Sequence, residues 1–139
     1  MRHGSRIRLD SYDVVILACA SSAGIHAALV PDHFREGVGP GAGFVLSVVA
    51  LAAVVVALTR RPADELGLGV AAVVLAGLLG AYALATTTGL PVLHPEVEPV
   101  EGLALLTKAI EAAGLLAASR LLRRPPVAVP LRQAKGPLT

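Results

Sequence analysis

Four long apolar blocks dominate this sequence, and they set the strongest limit on what the chain can fold into. The blocks cover residues 12–30, 43–59, 66–86 and 100–122. The length of each block is near the ~20 residues that a helix needs to cross the hydrocarbon of a bilayer. A soluble core of this size is possible, but 55% of the residues are hydrophobic and only 16% are charged, so the four blocks would cover a soluble protein with apolar surface on every side. We therefore predict an all-α four-transmembrane-helix bundle in residues 1–124, followed by a disordered cytoplasmic tail in residues 125–139.

The basic residues lie almost entirely on one side of the four predicted spans. If the N-terminus is cytoplasmic, ten arginines and lysines lie inside, whereas Arg35 alone lies in an outer loop and Lys108 lies within a span. The inner residues are Arg2, Arg6, Arg8, Arg60, Arg61, Arg120, Arg123, Arg124, Arg132 and Lys135. Such an excess is typical of cytoplasmic segments. We predict an up-down bundle in the cell membrane with both ends in the cytoplasm, where the basic residues contact anionic lipid headgroups.

Two classes of function are not expected from this sequence. Its net charge is +2, but the basic residues form short clusters beside the apolar blocks and only 3% of the residues are aromatic. Few rings are therefore available to stack on bases, and we expect no nucleic-acid partner. Ser21 and Ser22 lie in a span without an evident base and orienting acid, and no phosphate-binding loop or metalloprotease motif occurs. We therefore do not expect an enzyme.

Histidines and carboxylates gather on the predicted outer side. This group comprises His26, Asp32, His33, Glu36, His94, Glu96, Glu98 and Glu101. His26 lies inside the first span, where an ionisable side chain is a candidate functional group. Pro31 marks either the predicted end of that span or a kink at the membrane face. Imidazole and carboxylate together suit Zn²⁺, Mn²⁺, Fe²⁺, Ni²⁺ or Cu²⁺, and the candidate ligands for such a divalent metal are His26, His33, Glu36 and His94. In the alternative interpretation the loop residues are solvated and His26 hydrogen-bonds a neighbouring helix.

The fourth span carries three ionisable residues on one helical face, Glu101 at its start and Lys108 and Glu111 deeper in the span. Lys108 and Glu111 are three residues apart, and Glu111 is near the middle of the span, roughly 15 Å from either end. A lone carboxylate at that depth is unfavourable, so we expect Glu111 to be protonated or paired with Lys108. Two interpretations remain open: a structural ion pair that fixes helix packing, and part of a proton or ion relay. The structural pair is favoured because the span offers no second deep carboxylate.

Small residues recur on one face of the third span. Gly77, Ala81 and Ala85 follow one another at four-residue spacing. Small side chains allow the backbones of neighbouring membrane helices to approach closely. We predict that this face packs inside the bundle.

Two short motifs next to the predicted spans resemble those of a known group of proteins. The first is a first-span histidine followed by a Pro-acid-His-x-x-Glu exit, formed here by His26, Pro31, Asp32, His33 and Glu36. The second is a Gly-Leu-Pro and Pro-Glu-x-Glu-Pro-Val loop in residues 89–91 and 95–100. With these motifs and residues 43–44, the chain resembles small bacterial four-span integral membrane proteins, mostly of high-GC, actinobacterial type. The resemblance implies that the two outer loops act together, and it brings no assigned activity.

Two hypotheses for function follow from these features. The first is a small integral membrane protein whose outward-facing His/carboxylate cluster binds a divalent metal ion or senses protons. The alternative is a helical accessory or scaffold subunit without chemistry of its own, which packs against other membrane subunits or against itself. A metal that co-purifies at defined stoichiometry would favour the first hypothesis, and a co-purifying partner would favour the second.

The predicted orientation can be tested by labelling intact cells. The variants Ala42→Cys and Val92→Cys should react with a membrane-impermeant maleimide added outside, because both positions follow the outer ends of predicted spans. Ala63→Cys should stay unlabelled, since the neighbouring arginines place it in the cytoplasm. Labelling of Ala63→Cys in intact cells would reverse the orientation and move the polar cluster to the cytoplasm.

Overall fold

The computed structural model describes residues 10–62, 64–90 and 97–123. Within these ranges it contains four helices, which are α1 (Ser11–Glu36), α2 (Val38–Arg60), α3 (Glu65–Thr87) and α4 (Gly102–Leu122). Each helix is long and apolar enough to cross a membrane. The predicted all-α fold of four membrane-length helices is therefore confirmed, and it fits a small multi-pass integral membrane protein. The orientation in the membrane stays a prediction, and the predicted disordered tail at 125–139 lies outside the described residues.

Acidic side chains begin α1 and α3. The carboxylate of Asp10 accepts hydrogen bonds from the backbone N–H groups of Tyr12 and Asp13, and the Asp13 carboxylate accepts from the N–H of Asp10. This reciprocal arrangement is a capping box, which satisfies amide groups that the first helical turn leaves without partners. Asp64 caps α3 in a simpler way, by accepting from the N–H of Gly67 over 3.2 Å. Both helices thus begin at a side chain that accepts hydrogen bonds from the free backbone N–H groups of the first turn.

The first span is longer than the sequence predicts, because the helix does not end at Pro31. α1 passes through Pro31 and continues to Glu36. Proline removes only one backbone donor, and the turn beside it gains a side-chain bond from Nδ1 of His33 to the Leu29 carbonyl over 3.0 Å. Gly37 alone separates α1 from α2, so α2 begins five residues before the predicted position 43. The third and fourth helices begin and end within two residues of their predicted bounds.

The bundle interior is divided into two parts of different chemistry. α1 packs against α2 and α4, and α3 packs against α4 and less extensively against α2. The first halves of α1 and α3 and the second halves of α2 and α4 enclose an apolar core, here named the apolar half, of Val15, Cys19, Leu51, Val54, Leu58, Leu68, Ala71, Leu75, Ala117 and Ala118. The rest of the bundle, from its middle to the other end, is here named the polar half. It contains the buried polar residues, which are Ser22, His26, Thr107 and Glu111.

The predicted packing of the small face of α3 is wrong for two of its three residues. Gly77 and Ala81 are exposed, and only Ala85 is buried. Among the described residues, no atom lies within 4 Å of a Cβ built on Gly77. Instead α3 turns Leu68 and Leu75 towards the interior, which removes more apolar surface from the exterior than small residues could. The spacing of small residues therefore did not identify the interior face of this helix.

At Gly114, α4 lies close to both α1 and α3. A Cβ built on Gly114 would lie 2.7 Å from Cβ of Ala18 in α1 and 3.1 Å from Cδ1 of Leu75 in α3. A glycine is needed there because both neighbours belong to packed helices. Gly114 thus has the role that the sequence analysis assigns to the small residues of α3.

We expect Gly114→Ala to destabilise the bundle and Gly77→Ala to be tolerated. The new methyl at position 114 must displace α1 or Leu75, and overpacking of this kind costs about 1–3 kcal/mol. The same change at position 77 meets open space, so it should alter the free energy of unfolding by less than about 0.5 kcal/mol. Unfolding of both variants in mixed micelles measures the difference. Equal stability of the two variants would contradict the close contact between α1 and α4.

Candidate functional site

A chain of hydrogen bonds between buried polar side chains joins α1 to α4. The hydroxyl of Ser22 donates to Oε1 of Glu111 over 2.7 Å, and Nζ of Lys108 donates to Oε2 of the same carboxylate over 2.7 Å. Ser22 and Glu111 are completely buried, whereas the side chain of Lys108 is 15% exposed. Each oxygen of Glu111 therefore has a donor, one neutral and one cationic. Such full pairing is what a buried carboxylate requires.

His26 joins this network through Ser22. Its Nδ1 lies 2.9 Å from the carbonyl oxygen of Ser22 and 3.3 Å from the Ser22 hydroxyl oxygen. Because a carbonyl oxygen can only accept, Nδ1 carries the hydrogen of the neutral ring and Nε2 carries the lone pair. Nε2 is thus the atom of His26 that takes up a proton or binds a metal ion. The ring itself is buried within the bundle.

Phe44 of α2 contacts both imidazoles of α1. Its ring centroid lies 5.1 Å from that of His26 and 3.5 Å from that of His33, on which it stacks at an interplanar angle of 23°. Two turns of helix separate the histidines, or roughly 10 Å along the axis of α1. The ring of Phe44 therefore fills the space between them. The two imidazoles share an aromatic neighbour rather than a common ligand position.

The one-residue junction between the first two helices explains how Phe44 reaches these rings. Because only Gly37 separates α1 from α2, the first turns of α2 must lie beside the last turns of α1. Gly41 makes this approach possible, since a Cβ on Gly41 would overlap the ring of Phe34. The close contact at Gly41 then lets Phe44, three residues further along α2, face the histidines.

The predicted metal ligands do not gather around one point within the described residues. That part of the chain contains no group of three or more His, Cys, Asp or Glu side chains able to hold a metal ion. His26 is buried in the bundle, His33 stacks on Phe44, and Glu36 is exposed at the end of α1. His94 lies outside the described residues. A metal site formed by these four residues stays a prediction.

Tyr82 of α3 brings a further polar group to the network. The centroid of its ring lies 5.5 Å from Nζ of Lys108, within the range of a cation–π interaction. Its hydroxyl oxygen is buried and has no hydrogen-bond partner in the described part of the chain. A buried hydroxyl in that state is destabilising by about 1–3 kcal/mol. The Tyr82 hydroxyl is therefore a donor available to a polar partner.

The sequence identifies His26, Lys108 and Glu111 as candidate polar residues but misses Ser22 and Tyr82. The sequence analysis assigns Ser22 neither base nor acid, yet the structure places it between His26 and Glu111. The arrangement differs from a Ser-His-acid triad, because the carboxylate contacts the serine and not the imidazole. One signal could have identified Ser22. It precedes His26 by four residues and so shares its helix face.

Comparisons with protein-family models, with curated proteins and with solved structures found no match to this chain. The resemblance to small bacterial four-span membrane proteins therefore stays a prediction. The case for a function rests on the contacts of the polar half.

The role of the ion pair can be tested with a double-mutant series. Glu111→Gln should leave the Lys108 ammonium without a counter-charge and reduce the free energy of unfolding by about 3 kcal/mol. Adding Lys108→Met should recover much of that loss, because deleting a buried pair is less unfavourable than breaking it. Unfolding in mixed micelles gives all three values. Glu36→Gln is the matched control, since Glu36 is exposed.

One outcome of this series would contradict a stabilising ion pair. If the double variant is no more stable than Glu111→Gln alone, the unpaired Lys108 ammonium is not what destabilises Glu111→Gln. Measuring Lys108→Met alone completes the double-mutant cycle, and a coupling energy near zero between the two sites would contradict the pair in the same way.

Proposed function

We propose that this small membrane protein senses protons through His26 and passes the change to the ion pair between Lys108 and Glu111. The observation that supports this proposal is the position of Ser22, which contacts His26 on one side and Glu111 on the other. Nδ1 of His26 is held by the Ser22 carbonyl, which leaves Nε2 to gain or lose a proton. A proton at Nε2 therefore acts on side chains that already link two helices.

Protonation of His26 would change the charge of a neutral group of side chains. Lys108 and Glu111 together carry no net charge, and neutral His26 adds none. Within the described residues, the other titratable groups facing this site are Cys19 and His33 on the same helix and Tyr82 on α3, while α2 presents the ring of Phe44. An imidazolium next to Ser22 would compete with Lys108 for the carboxylate, because charges interact strongly where water is scarce. The contact between α1 and α4 should therefore change when His26 gains a proton.

The apolar half supports a sensor in preference to a channel. Leu51, Leu58 and Leu75 are fully buried there. Within the described residues, the only buried imidazole and carboxylate are those of His26 and Glu111, outside the apolar half. A proton that enters through the polar half therefore meets the Ser22–Glu111 contact and then a packed apolar core. By the predicted orientation, the polar half faces the outside of the cell.

We expect the signals of Glu111 and Phe44 to follow the titration of His26. Protein labelled with ¹⁵N-histidine, ¹³C-glutamate and ¹³C-phenylalanine can be titrated by NMR from about pH 8 to about pH 5, where imidazoles gain their proton. The side-chain carbon of Glu111 and the ring of Phe44 should move with the same midpoint as His26. In His26→Gln these movements should disappear, whereas in the matched control His33→Gln the movement of Glu111 should remain.

Two results would contradict proton sensing at His26. The first is a His26 ring whose signals stay constant over this pH range. The second is a His26 titration that leaves Glu111 unmoved. The same samples also test the metal hypothesis, because stoichiometric addition of Zn²⁺ at constant pH should shift His26 and His33 together if both bind one ion.

A further inference from the structure

We propose that an anionic phospholipid binds with one acyl chain in a surface groove between α1 and α4 and with its headgroup against Arg120 and Arg123. This inference goes beyond proton sensing and does not depend on it. Its basis is the position of the groove along the bundle, together with two arginines of α4 that have no partner at the same end.

The groove runs along the contact between α1 and α4. Its volume is about 210 Å³, and the side chains that line it are Val14, Leu17, Ala18, Ser21, Ile110 and Ala113. All of these except Ser21 are apolar, and Leu17 is half exposed. An empty groove would lose dispersion contacts that a chain lying in it would make. An acyl chain, which is as apolar as the groove, can fill it.

The position of the groove matches one leaflet of a bilayer. α1 begins at Ser11, so Val14 lies at the end of its first turn, and Ser21 lies seven residues further along. Seven residues of helix span roughly 10 Å. One leaflet contributes about 15 Å of hydrocarbon, half of the ~30 Å core. A chain in this groove would therefore extend from near the end of the bundle towards the middle of the membrane.

α4 places two arginines beyond the groove, towards the end of the bundle where α1 begins. Arg120 follows Ala113 by seven residues, so it continues the same helix face roughly 10 Å nearer that end. Arg123 is three residues further on and therefore a neighbour of Arg120. Both residues are exposed, and neither guanidinium has an ion-pair partner within the described residues. Their long side chains can reach the headgroup region.

The chemistry of these two residues favours an anionic headgroup. A guanidinium binds phosphate oxygens through paired hydrogen bonds, and its charge favours a lipid with net negative charge. Asp10 and Asp13 lie at the same end, but their carboxylates accept hydrogen bonds from the first turn of α1, whose positive helix end offsets part of their charge. The groove thus gives one anionic lipid a defined position, and by the predicted orientation that lipid belongs to the cytoplasmic leaflet.

A second surface groove provides a matched control within the same chain. It is larger, at about 390 Å³, and is lined by Glu65, Leu66, Gly69, Val70 and Val73. This groove lies beside an acidic helix start, because Asp64 caps α3 and Glu65 is in its first turn. If apolar shape alone selects the lipid, both grooves should accept the same lipids. If the arginines select it, only the groove between α1 and α4 should prefer an anionic lipid.

Quenching of tryptophan fluorescence by brominated lipids measures the preference at each groove. The chain has no tryptophan of its own, so Leu17→Trp and Val70→Trp each report one groove from a position that is about half exposed. Each variant is placed in bilayers of phosphatidylcholine and phosphatidylglycerol, with bromine on one lipid or on the other. We expect Leu17→Trp to prefer phosphatidylglycerol by about fivefold, as for one arginine near an anionic headgroup. Val70→Trp should show no such preference.

Glutamine variants test the two arginines in the Leu17→Trp protein. Arg120→Gln should reduce the preference for phosphatidylglycerol, and adding Arg123→Gln should abolish it. Arg60→Gln is the matched control, since Arg60 is also exposed in the last turn of a helix, and it should leave the preference unchanged. Tryptophan emission in bilayers without bromine should be the same in all these variants, which verifies that they are folded.

Three results would overturn this inference. Equal quenching of Leu17→Trp by the two brominated lipids would mean that the groove accepts any acyl chain. A preference that survives in the variant without Arg120 and Arg123 would mean that these residues do not bind the headgroup. Absence of quenching by either lipid would mean that no lipid fills the groove, as when a second copy of the chain covers it. None of these results bears on His26, so proton sensing stands or fails separately.

Discussion

The buried carboxylate of Glu111 is the group on which the arrangement of the helices depends. An unpaired charge in the middle of a membrane bundle would be strongly unfavourable, so the fold must bring donors to both of its oxygens. Lys108 supplies one from the same helix, but the second, Ser22, belongs to α1. α1 and α4 must therefore approach closely, and Gly114 provides the space for that approach. The Ser22–Glu111 contact and the absence of a side chain at Gly114 thus both serve the close approach of α1 and α4.

The sequence predicts the helices well and their interior faces poorly, for one physical reason. Long apolar blocks are enough to locate four spans to within a few residues, apart from the continuation of α1 past Pro31 and the earlier start of α2. In a bilayer, however, residues that face lipid are as apolar as those that face the core. The rotation of α3, which exposes Gly77 and buries Leu75, therefore has no counterpart in the pattern of polarity.

In the candidate site, too, contacts within one helix could be predicted and contacts between helices could not. Lys108 and Glu111 could be paired from their spacing, because ionisable groups in a span must find partners. Ser22 and Tyr82 escaped notice, since a hydroxyl in a membrane helix usually bonds to its own backbone, as Thr107 does to the Leu103 carbonyl. Ser22 donates to Glu111 and the ring of Tyr82 contacts Lys108, both on α4, and only the packed bundle reveals these contacts. The sequence therefore predicts polar contacts within one helix but not those between helices.

The short junction at Gly37 has a consequence for how the bundle moves. α1 and α2 are joined there at one end, and at the other end the hydroxyl of Tyr12 bonds to the Leu58 carbonyl over 2.6 Å. Fastened at both ends, the two helices should tilt and shift together as a single rigid arm. Rearrangement of the polar network must then be taken up by α3 and α4, and α3 has the weaker contact with that arm. We therefore expect α3 and α4, and not α1 and α2, to move when the polar network changes.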